Sequence, residues 1–111
     1  MIVDGWVSWA ERVDGHPAKV YSEPNSGEWI TVHSVVGNLP GRAIPARFMS
    51  DEREPDNPNR FTDRAAASTM FLLFKTGHLI QQYPVTSSTW TSGGREANTR
   101  SWAIEAEGGL A

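Results

Sequence analysis

Ser101-Trp102-Ala103-Ile104-Glu105-Ala106-Glu107-Gly108-Gly109 is the stretch whose reading decides the fold. Extended backbone sends successive side chains to opposite faces, so Ala103, Glu105 and Glu107 share one face while Trp102, Ile104 and Ala106 share the other. Two residues of rise separate the two carboxylates by roughly 7 Å along the strand. A glutamate held on a strand beside a packed apolar face is a candidate general acid or base, because partial desolvation raises its pKa toward neutrality. The same pattern fits an exposed strand with a solvated polar face.

The composition narrows the choice. At 111 residues the chain is one domain, 1–111, with room for a single modest core. Five tryptophans in that length favour an aromatic core or a binding groove. A net charge of -3 without a basic run argues against nucleic-acid or membrane-surface partners, and no segment reaches membrane-spanning length. Without cysteine there is neither a disulfide framework nor a thiolate metal site. The start, Met1-Ile2-Val3-Asp4-Gly5-Trp6, has no basic n-region and no apolar run of signal-peptide length, so the expected starting compartment is a cytoplasm.

Working back from the C-terminal strand, 85–100 reads as a long polar loop carrying Trp90, of the kind that is often functional. Before it, Met70-Phe71-Leu72-Leu73-Phe74 is a continuous apolar run that predicts a strand buried on both faces. Lys75-Thr76-Gly77 supplies a tight turn, and 79–83 returns antiparallel until Pro84 stops it. The β-branched stretch 29–36 predicts another strand, ended by Gly37-Asn38-Leu39-Pro40-Gly41. Ile44, Phe48 and Met49 at helical spacing predict a short helix over 42–49 with Pro45 in its first turn. The acidic, proline-rich 51–59 reads as a surface excursion and 14–27 as a loop, with His16 and His78 solvated. Residues 4–13 show no period and read as an arm that docks its tryptophans. The expected fold class is α/β: a mixed central sheet of about four strands, short of helical cover on one face. A face left in that state invites self-association or a second chain.

Few residues offer chemistry. His33 closes the strand segment Thr31-Val32-His33-Ser34, where an imidazole serves as a metal ligand or as a hydrogen-bonded structural residue. No HxxxH, HExxH or paired-cysteine spacing is present, so histidines alone do not assemble a recognisable zinc site. No serine sits in a GxSxG elbow, and Ser92-Gly93-Gly94-Arg95 lacks the lysine of a P-loop. Trp90 fits either a platform for a sugar or peptide face or an anchor tucked into the core.

The order of Val32-His33-Ser34, Phe71-Leu72-Leu73, Gly77, Ile80-Gln81-Gln82-Tyr83-Pro84, Trp90, Asn98, Ser101 and Ile104-Glu105-Ala106-Glu107-Gly108 resembles the type-2 N-acetylmuramoyl-L-alanine amidases. That family also includes the peptidoglycan recognition proteins. Gly5-Trp6, Ala10-Glu11-Arg12-Val13 and the stretch from Lys19-Val20-Tyr21 to Pro24-Asn25 look most like phage endolysin versions. The resemblance implies a sheet flanked by helices and a zinc-dependent peptidoglycan hydrolase that cleaves between the muramic acid lactyl group and L-alanine. It matches His33 to the first zinc ligand and Glu105 to the residue that shuttles protons. Trp90, Asn98 and Glu107 fall among substrate contacts, and Asn98 with Ser101 also matches residues that position the strand. It implies bacterial peptidoglycan as partner and a host cytoplasm as the compartment before lysis.

The chain departs from the pattern in three ways. Met70 stands where the family often has His, and Trp90-Thr91-Ser92-Gly93 stands for Trp-His-Ala-Gly. The other two zinc ligands and the C-terminal helices of the family lie beyond the Glu-x-Glu-Gly strand. The chain therefore reads as the N-terminal portion of an amidase domain, or as a non-catalytic wall-binding or structural module on the same fold.

Overall fold

The computed structural model describes residues 1–35, 48–63, 65–91 and 94–108. Its centre is a five-stranded sheet. In chain order the described strands are β1 (Ile2–Val3), β2 (Trp6–Val7), β3 (Glu11–Arg12), β4 (Val20–Tyr21), β5 (Trp29–Val35), β6 (Arg53–Glu54), β7 (Asn57–Phe61), β8 (Phe71–Leu73), β9 (Leu79–Gln81), β10 (Ser88–Thr89) and β11 (Ser101–Glu107). The sheet order is β3-β9-β8-β11-β5, and β1-β2, β10-β4 and β6-β7 form two-stranded ribbons.

The mixed character expected from the sequence is present. β8 and β9 pair antiparallel around the Lys75–Gly77 turn, whereas β11 runs parallel to both β5 and β8, and β3 runs parallel to β9. The fifth strand is β3, from the arm that showed no period. That arm docks differently from expectation. Trp9 is 71% exposed, and the arm is held instead through the buried amide of Gln81, which accepts from the Val7 N–H at 2.8 Å and donates to the Gly5 and Tyr83 carbonyls, each at 2.9 Å. Trp6 packs under the Arg12 guanidinium at 3.8 Å.

Alternation and register sort the sheet into two faces. His33, Glu105, Leu72 and Ile80 are successive partners across four strands and share one face. Leu72 and Ile80 join Phe48 in the core there, with Val13, Ala67 and Phe74 packed against them. The opposite face carries Ile30, Val32, Trp102, Ile104 and Leu73, of which Ile30 is 60% and Val32 47% exposed. The apolar run 70–74 is buried on both faces at its start, with Leu72 on the core face and Phe71 on the opposite one. Leu73, at 36% exposure, opens to solvent on the same face as Ile30 and Val32.

Three further expectations change. Residues 85–100 are not one loop: they contain β10 and a six-residue helix, Arg95–Arg100. The excursion at 51–59 is the β6-β7 ribbon, anchored by the buried Phe61. His16 is not solvated, since its Nε2 lies 2.8 Å from the Asp51 carboxylate and its ring meets Phe61 edge-on at 5.2 Å. His78 is half-exposed and paired with Glu11 at 2.8 Å. The turn at 37–41 and most of the expected helix over 42–49 lie outside the described residues, although Phe48 and Met49 are helical.

Candidate functional site

The site begins with the β5-β11 ladder. Seven consecutive parallel pairs run from Ser101↔Trp29 to Glu107↔Val35, and Glu105 falls opposite His33. Neighbouring strands lie about 4.8 Å apart, and paired residues of a parallel ladder project to the same side. The imidazole and the carboxylate are thus neighbours on the core face, at its margin, with both side chains half-buried. On its other flank Glu105 is paired with Leu72, which is fully buried. The pair consequently has water on one side and packed hydrocarbon on the other.

Glu107 shares this face one step further along β11. Its Oε1 accepts the backbone N–H of Lys75, from the β8-β9 turn, at 2.8 Å. Beyond it Gly108 adopts φ +83°, which ends the strand.

The start of β11 is fixed by a corner of hydrogen bonds. Ser101 Oγ donates to the Ala97 carbonyl at 2.6 Å, and Asn25 Nδ2 donates to the carbonyls of Ser101 at 2.5 Å and Asn98 at 3.3 Å. Asn98 is 3% exposed, and its amide reaches the Tyr21 hydroxyl at 3.4 Å. That places Asn98 inside the corner rather than on an open surface. Beside it Glu28 forms a two-pronged pair with Arg100, at 2.8 Å on each prong, which with Ser26 Oγ holds its carboxyl down to about 2.

Trp90 stands apart from the His33–Glu105 pair. Its backbone N–H donates to Ser68 Oγ at 2.8 Å, four residues before Leu72, on the order of a dozen Å along the sheet from Glu105. Its indole packs edge-on against Phe61 at 5.7 Å and, with Val20, Tyr21, Ser22, Ala66 and Arg95, lines an open cleft of ≈ 510 Å³. Arg95 lies 4.9 Å over the Tyr21 ring and pairs with Glu23. Behind the cleft Phe61 is flanked by the Arg53 guanidinium at 3.7 Å and by the fully buried Lys19, whose Nζ donates to the Phe48 carbonyl at 3.1 Å. Arg53, and then His16, hold the Asp51 carboxyl below the usual carboxylate range.

Sequence reasoning missed Tyr21, Arg95 and Lys19. Tyr21 and Arg95 are brought to Trp90 by the β4-β10 pairing Tyr21↔Ser88 and by the short helix, contacts between residues more than sixty positions apart with no local signature. Lys19 follows a loop and carries no periodic neighbours. Its total burial is a tertiary fact.

Among the described residues no group of three or more His, Cys, Asp or Glu is placed to hold a metal ion. His33 and Glu105 provide one imidazole nitrogen and one carboxylate, a donor chemistry that suits zinc but does not complete its four-coordinate shell.

No protein-family model matches the chain, and no curated protein sequence matches it. Solved structures do. A selenomethionine derivative of AmpD is 23% identical and superposes with a TM-score of 0.68 over 97% of this chain and 66% of that one. The endolysin N-acetylmuramoyl-L-alanine amidase LysCS from Clostridium intestinale URNW is 14% identical, with a TM-score of 0.55 over 96% of this chain and 62% of that one. The chain thus has the fold of these proteins and spans slightly less than two thirds of the length of each.

Proposed function

We propose that this chain is the N-terminal portion of a zinc-dependent N-acetylmuramoyl-L-alanine amidase of the phage endolysin kind, acting on bacterial peptidoglycan. The observation that carries the reading is the register that sets Glu105 beside His33 in a chain with the fold of an endolysin amidase. His33 would hold zinc through a ring nitrogen, with the remaining donors coming from outside the described residues. Bound there, zinc supplies Lewis acidity at the amide carbonyl and lowers the pKa of a water.

The other steps belong to the protein. Glu105, flanked by Leu72 and facing the open side of the site, takes a proton as water adds to the lactyl carbonyl carbon. It returns that proton to the L-alanine nitrogen as the C–N bond breaks. The products are a lactyl carboxylate on the glycan and a peptide with a free amino terminus. Trp90 and the cleft around it hold stem peptide or glycan away from the reacting bond. On this reading the helices that cover the Ile30–Val32 face belong to further protein, and the chain stays in the host cytoplasm until lysis.

The test is product identity. Purified peptidoglycan is incubated with the protein and zinc, and new amino termini are sequenced. L-Alanine termini that appear only with zinc support the amidase. Termini of another residue, or new reducing sugar ends, contradict it. The cleft at Trp90 and Tyr21 favours one second reading, a wall-binding module, which predicts retention on peptidoglycan without new termini.

A further inference from the structure

The β8-β9 turn and the end of β11 are joined by more than the sheet ladder. The β8-β11 pairing ends at Ala106↔Leu73. Two residues on, the Lys75 N–H donates to Glu107 Oε1 at 2.8 Å, so a side chain continues the ladder past the end of β8. The Lys75 side chain then lies across Gly108, where an added Cβ would come within 2.2 Å of Lys75 Cε. Gly108 also has φ +83°, a conformation that L side chains rarely adopt. The turn itself is stiff: the Phe74 N–H donates to the His78 carbonyl and the Gly77 N–H to the Phe74 carbonyl, both at 2.9 Å.

From this geometry we infer that Glu107, Gly108 and Lys75 form a clasp that holds β11 in register, making Glu107 a positioning residue for Glu105 rather than a contact to substrate. Glu105 lies two residues upstream of Glu107 on the same face, opposite His33 in the ladder whose downstream end the clasp secures. Without the clasp this turn-to-strand link is lost, and the end of β11 frays more readily toward Glu105. The inference rests on the reading of Glu105 as acid and base, but its test needs no hydrolysis.

Amide hydrogen exchange at Lys75 and the NMR signals of Glu105 and His33 are compared in the wild type, Glu107→Gln and Glu107→Ala. Glutamine keeps the Oε1 acceptor, so Glu107→Gln should restore both slow exchange and the wild-type signals. Glu107→Ala should speed Lys75 exchange about fivefold, the loss of one ordinary hydrogen bond, and shift the Glu105 and His33 signals. Unchanged exchange in Glu107→Ala overturns the clasp, and faster exchange with unmoved Glu105 and His33 signals overturns the positioning role. If Glu107→Ala does not fold, Gly108→Ala displaces the Lys75 side chain and is read in the same way: shifted Glu105 and His33 signals support the role, unshifted ones overturn it. Failure of the amidase reading would show instead as an intact clasp in a protein that releases no peptide.

Discussion

Glu105 on β11 stands directly opposite His33 on β5, inside a parallel ladder that is unbroken for two pairs on either side. On the proposed reading this carboxylate acts on a proton at the reacting bond, while backbone pairing on both flanks holds the strand. Glu105→Gln is therefore expected to keep the fold and lower kcat about 10²–10⁴-fold with little change in KM. Steady-state kinetics on a soluble muropeptide would check it; a matching rise in KM at unchanged kcat would point to substrate binding instead.

Gln81, 1% exposed, ties the N-terminal arm to the sheet through two side-chain hydrogen bonds, to the Val7 N–H and the Gly5 carbonyl, and makes a third to the Tyr83 carbonyl. Gln81→Leu leaves the Val7 N–H and the Gly5 carbonyl without these partners. The expected loss is about 2–3 kcal/mol of unfolding free energy, measured by urea denaturation.

Glu28 is the carboxylate to watch in acid. Its folded value of about 2 lies below its ordinary 4.5, first because of Arg100 and then because of Ser26. The stabilising effect of a depressed carboxyl is fully present above the ordinary value and fades as pH falls from there through about 2. A ¹³C titration of Glu28 should show the low midpoint, and Arg100→Leu should return it toward the ordinary carboxylate range.

Tyr83 gives the opposite signature at high pH. Burial pushes its hydroxyl up to about 12, and the Oη donates to the His16 carbonyl at 2.7 Å. The folded state keeps this proton longer than the unfolded chain, so the contribution is whole below pH 10 and lost as pH rises through about 12. Alkaline unfolding followed by circular dichroism should begin in that window, and Tyr83→Phe should remove this component of the pH dependence.

The uncovered face makes a prediction about solution behaviour. Ile30 and Val32 project from β5 beside Trp102 and Ile104, with Ile30 the more exposed. Neighbouring exposed apolar side chains of this kind mark association surfaces. The 111-residue chain is expected to self-associate in sedimentation velocity at tens of micromolar, and Val32→Glu should return it to monomer. A wild-type chain that sediments as a monomer would show that the face tolerates water.

The β11 alternation, the β8-β9 hairpin and the β-branched run of β5 could be read from sequence because each carries its own period or turn chemistry. The helix Arg95–Arg100 could not. It is only six residues long, has no apolar stripe, and its leading Gly94 makes no side-chain cap bond. β6-β7 was hidden for a related reason: within Asn57–Phe61 only Phe61 is buried, so no alternation marks the strand. His33 and Glu105 were each singled out by resemblance, but their juxtaposition is a matter of register between strands far apart in sequence. The cleft at Trp90 depends on the same kind of long-range pairing.

Metal-dependent release of peptide is the most direct measure of the central claim. The protein is stripped with chelator, reconstituted with zinc, and assayed for amino groups freed from peptidoglycan, alongside His33→Ala. Zinc is expected to restore release in the wild type and not in His33→Ala. Equal release by both proteins, or release that chelator does not touch, would contradict it.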